Sequence, residues 1–283
     1  MKLIYPQVEL VKQTDPTTHV AKCARLCYQS ESKDKVSDER LIKNLNSKLH
    51  WSMFRHESCY YIIKKSVAGE EVYKKIYNKL REFIYCPFIS YTIDKGVIYI
   101  STNGQFYKDT VDLLHIEAME IISDYRVSPE EFYNTEIGFG LMRYTFFVTC
   151  SIGTSRELNR TSPNNIAEQS TRYVNFGKKG GITICLPHWW LGAKWYKKEI
   201  FRTYWKVCEI MYYTALKLGF PPEDARGVLP LHTATKVAYT YNINEWKHIV
   251  ALRYYGTTGK PHPDAKRIAG LIRYNLIEEG YEL

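Results

Sequence analysis

Residues able to do chemistry are densest in "RELNRTSPNNIAEQSTRYVNF", residues 156–176, which holds three arginines, two carboxylates and four small hydroxyl side chains. Charged stripes of this kind often lie on a solvated face, so composition alone assigns the stretch no role. Its spacing says more. Glu168, Ser170 and Arg172 alternate, and an extended backbone would turn all three to one side. A guanidinium can hold a phosphate through two parallel hydrogen bonds, a serine can add a third, and a carboxylate can accept from a hydroxyl or a ring N–H. The set suits a phosphorylated sugar ligand. Other chemistries find less support. No cysteine or serine stands in a pattern that pairs it with a histidine, and Cys150 and Cys185 lie in β-rich runs that read as buried thiols. His50 and His56, six apart in "HWSMFRH", match neither one helix face nor a zinc loop, so no metal is expected.

The elements around this stretch mix both classes. The 283 residues are 45% hydrophobic, enough for a substantial core. "DPTTHVAKCARLCYQS" opens on capping residues and then repeats apolar positions at helical spacing, and a second helix is expected over 38–50. "ESCYYIIKK", "RYTFFVTC", "VIYIST" and "ATKVAYTYN" read as strands. "NGQFYKDTVDLLHIEAMEIISDY" reads as a helix following "VIYIST", and a long amphipathic helix is expected over 194–218, ending at Gly219. "PPEDAR" starts a short helix, while "INEWKHIVALRYY" and "HPDAKRIAGLIRYNLIEEG" read as longer ones. No repeat or flexible linker divides the chain, so the expectation is one α+β domain over residues 1–283, with a mixed or antiparallel sheet and surrounding helices.

A net charge of +9 favours anionic partners, but the basic residues are spread from Lys2 to Arg273, which speaks against a nucleic-acid-binding tail. The 24 tyrosines are better explained by packing than by base stacking. Seven cysteines without a CxxC pair suggest reduced thiols, neither a disulfide framework nor a zinc finger. With no apolar leader and no apolar run of membrane-spanning length, a cytoplasmic location is expected, in a cell or a virus-infected host, with no membrane partner.

Read with its neighbours, "SRELNRTSPNNIAEQSTRY" resembles the signature segment of the flavin-dependent thymidylate synthases: Arg-His-Arg, seven residues, Ser, and shortly afterwards Arg-Tyr. Arg160 falls on the first arginine, Ser170 on the serine and Arg172 on the later arginine. "LHWSMFRHESCYY" resembles that family's His-x-Ser/Thr-x-Phe-Glu-His segment, "EDARGVLPLHTATKVAYTYNINEWKHIVALR" its C-terminal segment, and "CARLCY" its first helix. The matches follow family order and leave an extended middle section, about 65–140. The resemblance implies conversion of dUMP to dTMP with methylenetetrahydrofolate, FAD and NADPH, in a homotetramer with sites at subunit interfaces. It also implies that Glu157, Arg160, Glu168, Ser170, Arg172, Arg226 and Arg253 hold the pyrimidine nucleotide, with Arg160 and Arg253 catalytic. Cofactor contacts would fall to His50, Ser52, Arg55, Thr161, Ser162, Asn242 and His248. The arginines, drawn from distant segments, would then line one cationic pocket around the nucleotide.

The pattern is broken selectively. The Arg-His-Arg triplet reads Arg160-Thr161-Ser162, Arg55 replaces the family's glutamate, and Asn244 stands where an arginine is usual. Nucleotide-facing positions are kept and flavin-facing ones altered. Either the flavin pocket is rebuilt and thymidylate synthesis continues, or the protein is a C5 hydroxymethylase of dUMP or dCMP with altered or absent flavin use. A non-catalytic nucleotide- or RNA-binding homologue is the third reading.

Overall fold

The computed structural model describes residues 1–106, 120–161, 165–178 and 180–283. Its strands are β1 (Lys2–Ile4), β2 (Gln7–Val11), β3 (Cys59–Lys64), β4 (Ile89–Asp94), β5 (Val97–Thr102), β6 (Arg126–Val127), β7 (Arg143–Ser151), β8 (Ile166–Glu168), β9 (Thr183–Cys185) and β10 (Ala234–Asn242). The longer helices are α1 (Pro16–Leu26), α2 (Lys35–Ser47), α3 (Glu70–Leu80), α4 (Ile152–Asn159), α5 (Trp195–Lys217), α6 (Ile243–Val250) and α7 (Pro263–Glu278). The α+β class agrees with the sequence reading.

An antiparallel sheet in the order β2-β7-β10-β8 is the frame for the candidate site. Its two central strands pair along their whole length, from Ala234 opposite Ser151 to Asn242 opposite Arg143. On one face Phe146, Val148, Val237, Tyr239 and Tyr241 pack with Trp246 of α6 and with Ile268, Ile272 and Leu276 of α7. On the other, Phe147 and Ala238 pack with Cys23 of α1. Because both faces are covered, "RYTFFVTC" and "VAYTY" run almost without polar alternation. The exceptions are threonines that bond to one another: Thr145 and Thr240 lie opposite each other with hydroxyls 2.7 Å apart. His19 Nε2 meets Thr145 at 2.9 Å and His56 Nδ1 meets Thr240 at 2.8 Å, closing a buried polar line.

The middle section builds a second antiparallel sheet, β4-β5-β3-β6, with its own apolar cluster of Tyr61, Ile63, Ile98, Ile100 and Phe106 under Leu80 of α3. The helix expected to follow β5 falls largely on residues 107–119, outside the described residues. A short parallel pair, β1-β9, completes the sheets.

Helix ends differ from expectation where capping decides them. The second helix starts earlier than residue 38, because the Asp34 carboxylate accepts from the Ser37 N–H at 2.6 Å. The helix expected over "INEWKHIVALRYY" is regular only through Val250 and then widens into a π-turn, Ala251–Tyr255, closed by Gly256 at φ 75°. None of the seven cysteines forms a disulfide in the described structure. Among the described residues no helix is long and apolar enough to cross a membrane.

Candidate functional site

Helix α4 leaves the end of β7 directly, with the Ser151 hydroxyl accepting from the Thr154 N–H at 3.1 Å. Residues Ser155 and Asn159 are one helical turn apart and face β8 together. There they meet Glu168, whose Oε1 accepts from Ser155 at 2.8 Å and from Thr235 at 3.0 Å, while Oε2 accepts from the Asn159 amide at 3.3 Å. Asn159 is held in turn by the Tyr239 hydroxyl at 2.7 Å. Glu168 is thereby the fixed point of the site, and its four bracing residues were missed by the sequence reading. The i, i+4 pair Ser155 and Asn159 was the signal that could have shown two of them.

The extended backbone expected from Glu168 to Arg172 is not what forms. Strand β8 ends at Glu168, and the Ser170 hydroxyl accepts from the N–H groups of Arg172 and Tyr173 at 3.2 and 3.3 Å. A serine-centred turn therefore replaces the alternation. It carries Arg172 to a 2.6 Å ion pair between Nε and Glu223 Oε2, with the side chain 56% exposed. Arg226 reaches the same turn, donating to the Thr171 hydroxyl at 3.3 Å. Thus Arg172 and Arg226 are brought together, about a turn on one side and the short Pro222–Ala225 helix on the other.

A second group forms at the end of α4. Arg253, on the π-turn, donates from Nε to the Glu157 carbonyl at 3.0 Å, satisfying a helix-end carbonyl and placing a cation at the negative pole of the helix. Glu157 and Arg160 approach to 3.9 Å, and Arg160 is 73% exposed. Glu168 connects the two groups through Asn159, the neighbour of Arg160 in sequence. The arginines form two clusters, with Arg160, Arg172 and Arg226 exposed and Arg253 partly buried. A dianion could be gripped there, but one side of the ligand would face solvent.

The cofactor set is spread more widely. His50, Ser52 and His248 are exposed. Arg55 turns to the middle section, donating to Gln105 Oε1 and stacking 5.2 Å over the Phe88 ring. Asn242 caps α6 in a reciprocal box with Glu245, at 2.8 and 3.0 Å, and its amide reaches the Ser90 hydroxyl at 3.4 Å. Thr161 is buried, donating to the Leu158 carbonyl at 2.5 Å. Ser162 lies outside the described residues. Arg55, Asn242 and Thr161 are thus each engaged inside the chain, whereas His50, Ser52 and His248 are free to meet a ligand from solvent. Asn244 is exposed.

The thymidylate synthase complementing protein family matches residues 138–277. A flavin-dependent thymidylate synthase of Geobacter sulfurreducens is 32% identical over 99 residues, which is 35% of this chain and 42% of that relative. The chain's match thus spans less than half the length of that protein. Among solved structures, a UMP/dUMP methylase PolB from Streptomyces cacaoi bound with 5-Br dUMP is 18% identical, with 98% of this chain and 93% of that chain covered at a TM-score of 0.44. The same methylase bound with 5-Br UMP gives 17% identity, 98% and 92% coverage, and a TM-score of 0.45. Residues 138–277, just under half of the chain and the part that carries both arginine groups and Glu168, are thus similar to the thymidylate synthase complementing protein family.

Proposed function

We propose that this protein is an enzyme that transfers a one-carbon unit to C5 of a pyrimidine deoxynucleotide monophosphate, with dUMP to dTMP as the preferred reaction. The observation that carries the reading is the family match over 138–277, together with Arg172 and Arg226 meeting at one turn. A nucleotide phosphate is a dianion, and two guanidiniums on one turn suit it. Arg160 and Arg253 are assigned to negative charge developing on the pyrimidine ring, and Glu168, immobilised by three donors, to the nucleoside. Glu157 contributes to this end of the site through its contacts with Arg160 and Arg253.

Methylenetetrahydrofolate is the one-carbon donor in this proposal; FAD and NADPH supply the reducing equivalents a methyl product needs. Of the residues that would hold the flavin, Arg55, Thr161 and Asn242 are engaged within the protomer. That observation favours keeping a second reading: C5 hydroxymethylation of dUMP or dCMP, which needs the folate and water but no net reductant. The homotetramer and cytoplasmic location belong to the same proposal. The exposed Arg160, Arg172 and Arg226, with the exposed apolar Ile200, Tyr204, Val207 and Met211 of α5, support an assembly in which a second copy closes the site.

Two measurements test it. Purified protein that keeps flavin absorbance through gel filtration supports the flavin-dependent reading. The protein is also incubated with dUMP or dCMP and methylenetetrahydrofolate, with and without NADPH, and the product identified by mass. A methyl product that needs NADPH is expected; a hydroxymethyl product without NADPH selects the second reading. No turnover, with salt-dependent binding of oligonucleotides, would leave a nucleic-acid-binding homologue and defeat both.

A further inference from the structure

A cavity of about 560 Å³ opens between β2, the start of β7 and the end of α7, and none of the nucleotide or cofactor residues named above lines it. Its walls combine Leu10 and Met142 with the rings of Tyr60 and Tyr144, within the size range of about 300–1,000 Å³ common for small-molecule sites. Arg143 also lines it. This side chain is 9% exposed, its Nη2 donates to the Arg55 carbonyl at 3.0 Å, and its Nε is buried with no hydrogen-bond partner. Burial holds the guanidinium below its ordinary pKa. A buried cation is costly unless it is paired; the half-buried Glu245 carboxylate acts on Arg143 through space, but among the described residues no carboxylate is in direct ion-pair contact with it.

The residue is nonetheless firmly placed. Its N–H donates to the Tyr60 hydroxyl at 3.1 Å, and that hydroxyl lies 3.4 Å from its carbonyl. Nearby, Gln13 and Ser58 are bonded in both directions, at 2.8 and 2.9 Å. A preformed wall with one buried guanidinium whose Nε lacks a hydrogen-bond partner suits an anion. The rim then limits the charge: Glu130, Glu278 and Glu279 line it against a single Lys12, itself paired with Glu279 at 2.8 Å. One buried cation inside a net acidic rim disfavours a dianion and accepts a monoanion with an apolar body.

We propose that this cavity binds a small monocarboxylate with an aromatic or aliphatic body, its carboxylate on Arg143 and its body against Leu10, Met142 and Tyr60. The site is independent of the proposed nucleotide chemistry. Isothermal titration of the full chain with 2-naphthoate and with 2-naphthamide tests it. Naphthoate is expected to bind one per chain, at least about 10-fold tighter than the uncharged amide, as a charge-assisted bond requires. In Arg143→Gln acid and amide should bind alike, and in Leu10→Trp, which fills the cavity, neither should bind. Saturation with dUMP or with inorganic phosphate should not displace naphthoate. Equal binding of acid and amide to the parent, undiminished binding by Leu10→Trp, or displacement by dUMP or phosphate would overturn the proposal. Should Arg143→Gln fail to fold, the acid-to-amide ratio of the parent and the Leu10→Trp result still decide.

Discussion

A carboxylate that already accepts three hydrogen bonds is a structural fixture as much as a ligand group, and Glu168 is in that position, held by Ser155, Thr235 and Asn159. Glu168→Ala strands these donors and is expected to cost about 1–3 kcal/mol of stability, read as a lower urea midpoint. Arg172→Ala is the opposite case. Its side chain is more than half exposed and its ion pair with Glu223 lies at the surface, so stability should change by less than about 1 kcal/mol. Binding of dUMP should instead weaken by about 2–4 kcal/mol, the loss of a charged phosphate partner; unchanged dUMP affinity by titration would remove Arg172 from the site. The buried histidines make a third prediction. Burial lowers His19 to about 4 and His56 to about 3, whereas an unfolded histidine titrates near about 6.5. Between about pH 6.5 and 4 the unfolded chain takes up protons that the folded chain refuses. Stability is therefore complete above that window and falls as pH drops through it, by about 1.4 kcal/mol per pH unit for each histidine. Urea unfolding at descending pH should show this slope, and His56→Gln should flatten it by one histidine's share.

At the scale of elements, the π-turn Ala251–Tyr255 positions Arg253, and Gly256 closes it in the left-handed region at φ 75°. An added Cβ there would lie 2.8 Å from the Gly259 carbonyl oxygen and 2.9 Å from Pro261 Cδ. Gly256→Ala should therefore destabilise by more than about 1 kcal/mol and, by shifting the turn, weaken dUMP binding as well; thermal unfolding and titration on one sample check both. This turn was not legible in the sequence, because a single π-turn of five residues shifts the side-chain register over too short a stretch for apolar spacing to show. The serine-centred turn at Ser170 was hidden for a similar reason: alternating Glu168, Ser170 and Arg172 satisfy both a strand and a strand that stops. Strands β7 and β10 were plain, since burial on both faces leaves a continuous run of β-branched and aromatic residues. Asn242 shows how a motif can be read two ways. Its Asn-x-x-Glu spacing to Glu245 is a capping signal, and the side chain serves as the cap. Arg143 gave no signal at all, as the first residue of an apolar strand carries nothing to mark it as a buried cation.

For the whole molecule the decisive feature is a second apolar stripe on α5. Trp205, Cys208 and Tyr212 are buried against the chain, whereas Ile200, Tyr204, Val207 and Met211, at helical spacing, remain 64%, 48%, 47% and 50% exposed. A contiguous apolar stripe of this kind marks an interaction surface, and a helix offering the same face on every copy meets itself across a two-fold axis. Arg160, Arg172 and Arg226 are exposed within one chain, so closure by a second copy would complete their site and link assembly to affinity. Sedimentation equilibrium should give the parent a mass that is a multiple of 33.2 kDa. The double substitution Ile200→Glu and Met211→Glu, placing charge on an exposed face without touching the core, should return it to a single chain of unchanged thermal stability when both are measured at high dilution. The same variant should bind dUMP more weakly than the parent, because its arginines keep their geometry but lose the wall that excludes water. Retained assembly by the variant would move the interface elsewhere; a monomer with full dUMP affinity would show that the exposed arginines suffice alone.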